Sequence, residues 1–217
     1  TTRQPTTPSF THHFTRRTTE ELVESSTVFK RGCLIDLIIV LDSSGSVEET
    51  FRREKELAAG IISRLRIGPD NARVTIIRFA GSQSVRTVYS FDDPQSKNKI
   101  LRVLDGLHFS SGTTAIDAAL VKAFHEYTVD NGARPGHARP VAVIFTDGYG
   151  RRSALKAAEQ LRHVIPDTYA IAINHMFAIA RPELEVIVGQ PERVFTDENI
   201  GKFHDILENV AKDCIVD

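Results

Sequence analysis

Cysteine is scarce in this chain: Cys33 and Cys214 are its only two. That number excludes a small scaffold stapled by several disulfides and a four-cysteine zinc site. An excess of positive charge is missing as well, with 27 Lys and Arg against 28 Asp and Glu. Nucleic-acid binding draws its affinity from Lys and Arg on phosphate, so this balance argues against a nucleic-acid partner. Apolar runs such as Leu37-Ile38-Ile39-Val40-Leu41 fall far short of the ~20 residues that span a bilayer, and no membrane insertion is expected. No signal peptide or anchor is visible and the first residue is Thr. The sequence therefore reads as an excised piece or mature product whose targeting signal lies elsewhere. There is no internal repeat, no Gly-x-Ser-x-Gly elbow and no phosphate-cradling Gly-x-Gly-x-x-Gly.

What is present is the composition of a globular domain: 217 residues, 41% hydrophobic and 25% charged. A chain of this size removes roughly 70% of its unfolded surface from water, enough for one self-sufficient core. Residues 1–32 differ from the rest, with Thr1-Thr2-Arg3-Gln4-Pro5-Thr6-Thr7-Pro8 followed by Thr18-Thr19 and apolar residues without a period. Such a segment buries too little to offset its ordering entropy. It reads as a disordered linker, O-glycosylated if the chain is secreted, or as a plain tail; His12-His13 within it is incidental. Residues 33–214 read as one domain and 215–217 as a tail.

Within that domain, short runs rich in Val, Ile, Leu and Phe predict strands over 34–41, 73–80, 84–90, 140–146, 168–174 and 193–196. Apolar residues at helical spacing predict helices over 47–65, 94–107, 114–127, 153–164 and 200–212, with a short turn over 181–189. Strand–helix alternation implies right-handed crossovers and an α/β fold: a doubly wound, mostly parallel sheet with helices on both faces. The run 84–90 follows its predecessor after a short Gly81 turn and is expected as one antiparallel edge strand.

Ligands of such sheets sit at the carboxyl ends of the strands, near the switch point. The most polar signatures fall there. The first strand ends in Asp42-Ser43-Ser44-Gly45-Ser46, the fourth in Thr146-Asp147-Gly148, and the helix opening at Thr114 follows Ser110-Ser111-Gly112-Thr113. Since the first and fourth strands of a doubly wound sheet are neighbours, Asp42 and Asp147 are expected side by side. Two buried, unpaired carboxylates would cost several kcal/mol each. A hard divalent cation resolves the conflict: Mg²⁺ takes six oxygen ligands and keeps some as waters. Asp42, Ser44 and Ser46 alternate along one turn, and Thr114 and Asp147 would complete the ring. The plainer alternative is local chemistry, with Ser46 capping the next helix and Thr-Asp-Gly forming a turn. The joint occurrence at these strand ends favours the metal.

Asp42-x-Ser44-x-Ser46, Thr114 and Asp147-Gly148 together resemble the metal-ion-dependent adhesion site of von Willebrand factor type A domains, with Ile35-Asp36-Leu37-Ile38-Ile39-Val40 and Val74-Thr75-Ile76-Ile77-Arg78-Phe79 as similar flanks. The likeness covers residues 33–214 and is greatest to A domains of matrix proteins such as matrilins and fibril-associated collagens. It implies that Ser44 and Ser46 bind Mg²⁺ directly, with Mn²⁺ or Ca²⁺ as substitutes. Asp42, Thr114 and Asp147 would bind directly or through water, Thr114 rather than Thr113 being in the family's helix-opening register. The segment Tyr149-Gly150-Arg151-Arg152 departs from the polar segment usual after Asp-Gly. Arg151 and Arg152 would form a positive ligand rim, or be ordinary surface arginines.

The resemblance also implies that Cys33 and Cys214 close the domain as a disulfide, which places it in an oxidising, extracellular compartment; the alternative is two free thiols in the cytosol. The function so implied is a non-enzymatic, secreted module that grips an acidic side chain of a protein partner through the metal. A matrix-assembly domain using another surface is the second reading. A phosphatase on a similar sheet is the third, and it needs a second acid two residues after the first strand's Asp, where Ser44 stands. His108, His125, His163 and His175 show no paired metal spacing, and Glu48-Glu49 with Arg52-Arg53 read as a solvated helix face.

Overall fold

The computed structural model describes residues 34–174 and 178–212. Six strands form one sheet: β1 (Ile35–Asp42), β2 (Arg73–Phe79), β3 (Arg86–Tyr89), β4 (Arg139–Phe145), β5 (Asp167–Ala172) and β6 (Val194–Thr196). Six helices connect or follow them: α1 (Phe51–Arg64), α2 (Lys97–Asp105), α3 (Ile116–Glu126), α4 (Leu155–Val164), α5 (Arg181–Val188) and α6 (Ile200–Ala211). The strand order is β3-β2-β1-β4-β5-β6, with β3 antiparallel to β2 and all other pairs parallel.

β1 is buried along its whole length, which explains its uninterrupted apolar run: both faces of a central parallel strand are covered by helices. Its alternate residues part between two cores. Leu37, Ile39 and Leu41, with Val143 and Phe145 of β4, pack under Leu57 and Ile61 of α1, Ile100 and Leu104 of α2, and Phe203 and Leu207 of α6. Ile38 and Val40, with Ala142 and Ile144, pack under Ile116 and Leu120 of α3, Leu161 of α4 and Leu184 of α5. Each fully buried Leu or Ile contributes roughly 1.5–3 kcal/mol. This is the expected doubly wound α/β sheet with one antiparallel edge.

The element boundaries differ from the sequence expectations in informative places. The helix expected over 47–65 is divided: Gly45–Val47 forms one 3-10 turn, and α1 begins only at Phe51. Thr50, not Ser46, is the residue before α1, so the capping alternative for Ser46 falls away. The turn expected over 181–189 is a full eight-residue helix, opened by Pro182 and closed by Gly189 at φ 76°. β3 is shorter than 84–90 because its register with β2 shifts between Ile76 and Ile77.

The topology sets the place of the site. From β1 the order runs outward to β2 on one side and to β4 on the other, which makes the β1/β4 boundary the switch point. Leu41 is in register with Phe145, so Asp42 and the Thr146-Asp147 step leave the sheet together.

Candidate metal centre

Three loops meet above the carboxyl ends of β1, β2 and β4, and backbone hydrogen bonds join them. The Ser43 amide donates to the Phe79 carbonyl at 2.7 Å, the Gly45 amide to the Gly112 carbonyl at 3.0 Å, and the Ala115 amide to the Ala80 carbonyl at 2.9 Å. Ser43 Oγ lies 2.8 Å from Ser110 Oγ, adding a side-chain tie between the first two loops. Beyond β4, the Arg151 amide donates to the Thr114 carbonyl at 3.3 Å. Gly148 makes the turn after Asp147 at φ 87°, where an added Cβ would lie 2.9 Å from the Ala180 carbonyl oxygen; only glycine fits.

These loops bring Asp42, Ser44, Ser46, Thr114 and Asp147 to one place. Thr114 Oγ1 donates to Ser44 Oγ at 2.9 Å, and Ser44 Oγ lies 3.2 Å from Ser46 Oγ, so three hydroxyls form a chain. Asp42 Oδ1 accepts the Ser44 amide at 2.8 Å, and Oδ2 accepts the Thr146 hydroxyl at 2.7 Å. Asp147 Oδ1 accepts the Tyr149 amide at 3.0 Å, whereas its Oδ2 is buried with no hydrogen-bond partner among the described residues. Asp42 is 0% exposed and Asp147 2%. Ser46 is exposed, which leaves the chain open to solvent at one end.

The electrostatics of the site are those of negative charge held out of water. Burial pushes the Asp42 carboxyl up to about 6, its hydrogen bonds from Ser44 and Thr146 oppose the rise, and the nearby Asp147 charge adds to it. Among the described residues, no ion pair involves Asp42 or Asp147; the paired acids lie elsewhere. Among the described residues, no three His, Cys, Asp or Glu side chains group as a metal-holding cluster. An ion here would therefore draw on hydroxyl oxygens and waters beside the two carboxylates, the donor set of a hard cation. The buried, unpartnered Asp147 oxygen fits such an ion.

Arg151 and Arg152 are exposed and line a cleft of about 240 Å³ beside Thr114, together with Ser82, Thr113 and Asp117. His108, His125 and His163 are exposed too. Cys33, Cys214, His12-His13, His175 and the segments 1–32 and 215–217 lie outside the described residues. Two contributors escaped the sequence reading. Thr146 was in view only as a neighbour of Asp147, yet its hydroxyl holds Asp42. Glu54, 1% exposed, was detectable as an acid in the apolar stripe Phe51, Leu57, Ala58 and Ile61 of α1.

Known proteins share both sequence and shape. Mouse collagen alpha-6(VI) chain is 28% identical over 187 residues, covering 86% of this chain and 8% of its own. Human matrilin-3 is 30% identical over 176 residues, covering 77% and 35%. Cuticlin-6 of Caenorhabditis elegans is 27% identical over 166 residues, covering 76% and 28%. The chain thus spans between 8% and 35% of the length of these relatives. Two solved structures share the fold: proximal thread matrix protein 1 from the mussel byssus with a zinc-occupied MIDAS motif (TM-score 0.62, 24% identity, 83% of this chain and 46% of that one) and manganese-loaded Plasmodium vivax TRAP protein (TM-score 0.66, 20% identity, 85% and 76%). The sequence model described as von Willebrand factor type A domain matches residues 36–209, and the chain belongs to that family.

Proposed function

We propose that this domain is a non-enzymatic, extracellular protein-binding module that grips an acidic side chain of its partner through Mg²⁺ held by Asp42, Ser44, Ser46, Thr114 and Asp147. The observation that carries this reading is the buried Asp147 oxygen without a partner among the described residues, beside a second buried carboxylate and a chain of three hydroxyls. Five protein oxygens leave a six-coordinate ion one open position, which a further carboxylate can fill. Arg151 and Arg152 would add a positive rim that favours an approaching acid. The matrix setting is supported by the names of relatives, collagen and matrilin chains among them, and the divalent metal by the zinc- and manganese-bearing neighbours.

Calorimetric titration with Mg²⁺ tests the reading. Wild type is expected to bind and Asp147→Ala to lose binding while keeping its far-UV circular dichroism. Equal affinity in the two would remove this site. In a second arm, glutarate added to the Mn²⁺-loaded domain is expected to lower water-proton relaxation, because a carboxylate displaces a metal-bound water. No change would leave a metal site without the gripping function and favour matrix assembly through another surface.

A further inference from the structure

α1 turns Phe51, Glu54, Leu57, Ala58, Ile61 and Ile62 into the interior, and Glu54 is the one polar side chain among them. A glutamate is almost never fully buried without a partner. Glu54 is 1% exposed, and among the described residues no ion pair involves it. Its Oε1 lies 3.2 Å from the Thr50 hydroxyl, which is equally close to the Val47 carbonyl and has one proton for both. Its Oε2 is buried with no hydrogen-bond partner among the described residues, the same condition as Asp147 Oδ2. Burial foremost, and then the charges of Asp42 and Asp147, hold the Glu54 carboxyl well above the usual carboxylate range. The Thr50 hydroxyl that joins Glu54 to the Val47 carbonyl, and the Val47 amide that donates to the Ser44 carbonyl at 3.2 Å, tie this acid to the turn that carries Ser44 and Ser46.

We infer that Glu54 is an outer-sphere acid of the metal centre: its free Oε2 takes a hydrogen bond from a water of the bound divalent ion, and the carboxyl, ionised in the presence of that cation, strengthens the hold on it without contact. This rests on the metal reading given above. Direct ligation is not the role, because Glu54, Asp42 and Asp147 do not group as a three-acid cluster. Simple packing is not the role either, since an apolar side chain on this stripe would fill the space without an unsatisfied polar atom. Acids behind the first ligands orient bound water and tune affinity, and their loss typically weakens metal binding by roughly 10–100-fold.

The test is calorimetric Mg²⁺ titration of the full chain as wild type, Glu54→Gln and Glu54→Met, with the melting temperature in EDTA as the folding readout. Both variants are expected to melt no lower than wild type without metal and to bind Mg²⁺ at least roughly tenfold more weakly. A folded variant of either kind with wild-type affinity overturns the inference, and if one variant fails to fold the other decides. Absence of Mg²⁺ binding in the wild type would overturn the metal reading itself and this inference with it. Loss in Asp147→Ala with no loss in the Glu54 variants would overturn this inference alone.

Discussion

Asp36 lies near the start and Asp42 at the end of β1, both are 0% exposed, and the protein treats them in opposite ways. Arg134 spends its guanidinium on Asp36: Nε and Nη2 reach Oδ1 at 2.9 and 2.8 Å, while Nη2 also donates to the Asn71 carbonyl at 2.7 Å. Removing one partner of such a pair leaves an uncompensated buried charge, so Arg134→Met is expected to cost about 3–5 kcal/mol in urea unfolding. A loss below about 1 kcal/mol would show that water reaches Asp36. Asp42 has hydroxyl and amide partners but no cationic side chain beside it among the described residues, and burial raises it from 3.8 to about 6. A carboxyl raised on folding takes up protons more readily in the native state, so its stabilising contribution is complete below pH 3.8 and is lost as pH rises through about 6. For the metal-free protein in EDTA this amounts to about 3 kcal/mol. Other carboxylates slope the opposite way, so the measurement is the difference between wild type and Asp42→Asn across pH 4–7. Wild type is expected to lose ground to the variant as pH rises; parallel curves would contradict the assignment.

At the scale of elements, the helices differ in what they do beyond covering the sheet. α6 anchors one edge through Phe203, which is 0% exposed and meets the rings of Tyr169 at 5.4 Å and Phe195 at 5.5 Å. Emptying that position removes an aromatic cluster, and Phe203→Ala is expected to cost about 3–5 kcal/mol, read as a lower urea midpoint at unchanged slope. A changed slope would mean that α6 detaches before the sheet unfolds. α1, by contrast, starts late. The chain after β1 first makes its 3-10 turn at Gly45–Val47, and this turn presents Ser44 and Ser46 to the same side. Had α1 begun at Val47, as its apolar spacing suggests, the first turn of that helix would occupy the residues that separate the hydroxyl loop from Glu54.

For the molecule as a whole, two cores on either side of one sheet account for most apolar side chains of the described residues, and the polar chemistry collects at one end. The likeness to matrix A domains leads us to propose a bridge between Cys33 and Cys214. In the chain-entropy model a loop of that length contributes about 5 kcal/mol. Thiol titration of the unreduced, denatured chain is expected to find no free thiol; two would exclude the bridge and, with it, the argument for an oxidising compartment.

The strands, the order of strand and helix, and the meeting of Asp42, Ser44, Ser46, Thr114 and Asp147 at one end of the sheet were legible in the sequence by itself. Each of these is written in short-range terms: uninterrupted apolar runs for strands buried on both faces, spacing for helices, and polar triplets that end a run. The start of α1 was not legible, because apolar spacing continues through residues that the loop around the hydroxyls keeps out of the helix. Nor was the part played by Thr146 and Glu54. Whether a hydroxyl holds an acid, or an acid keeps an oxygen without a partner, depends on which groups lose water when the loops after β1 and β4 and the loop between α2 and α3 close over one another. That is decided by the neighbours the fold brings in from more than a hundred residues away, as between Thr146 and Asp42, and no local pattern in the chain encodes it.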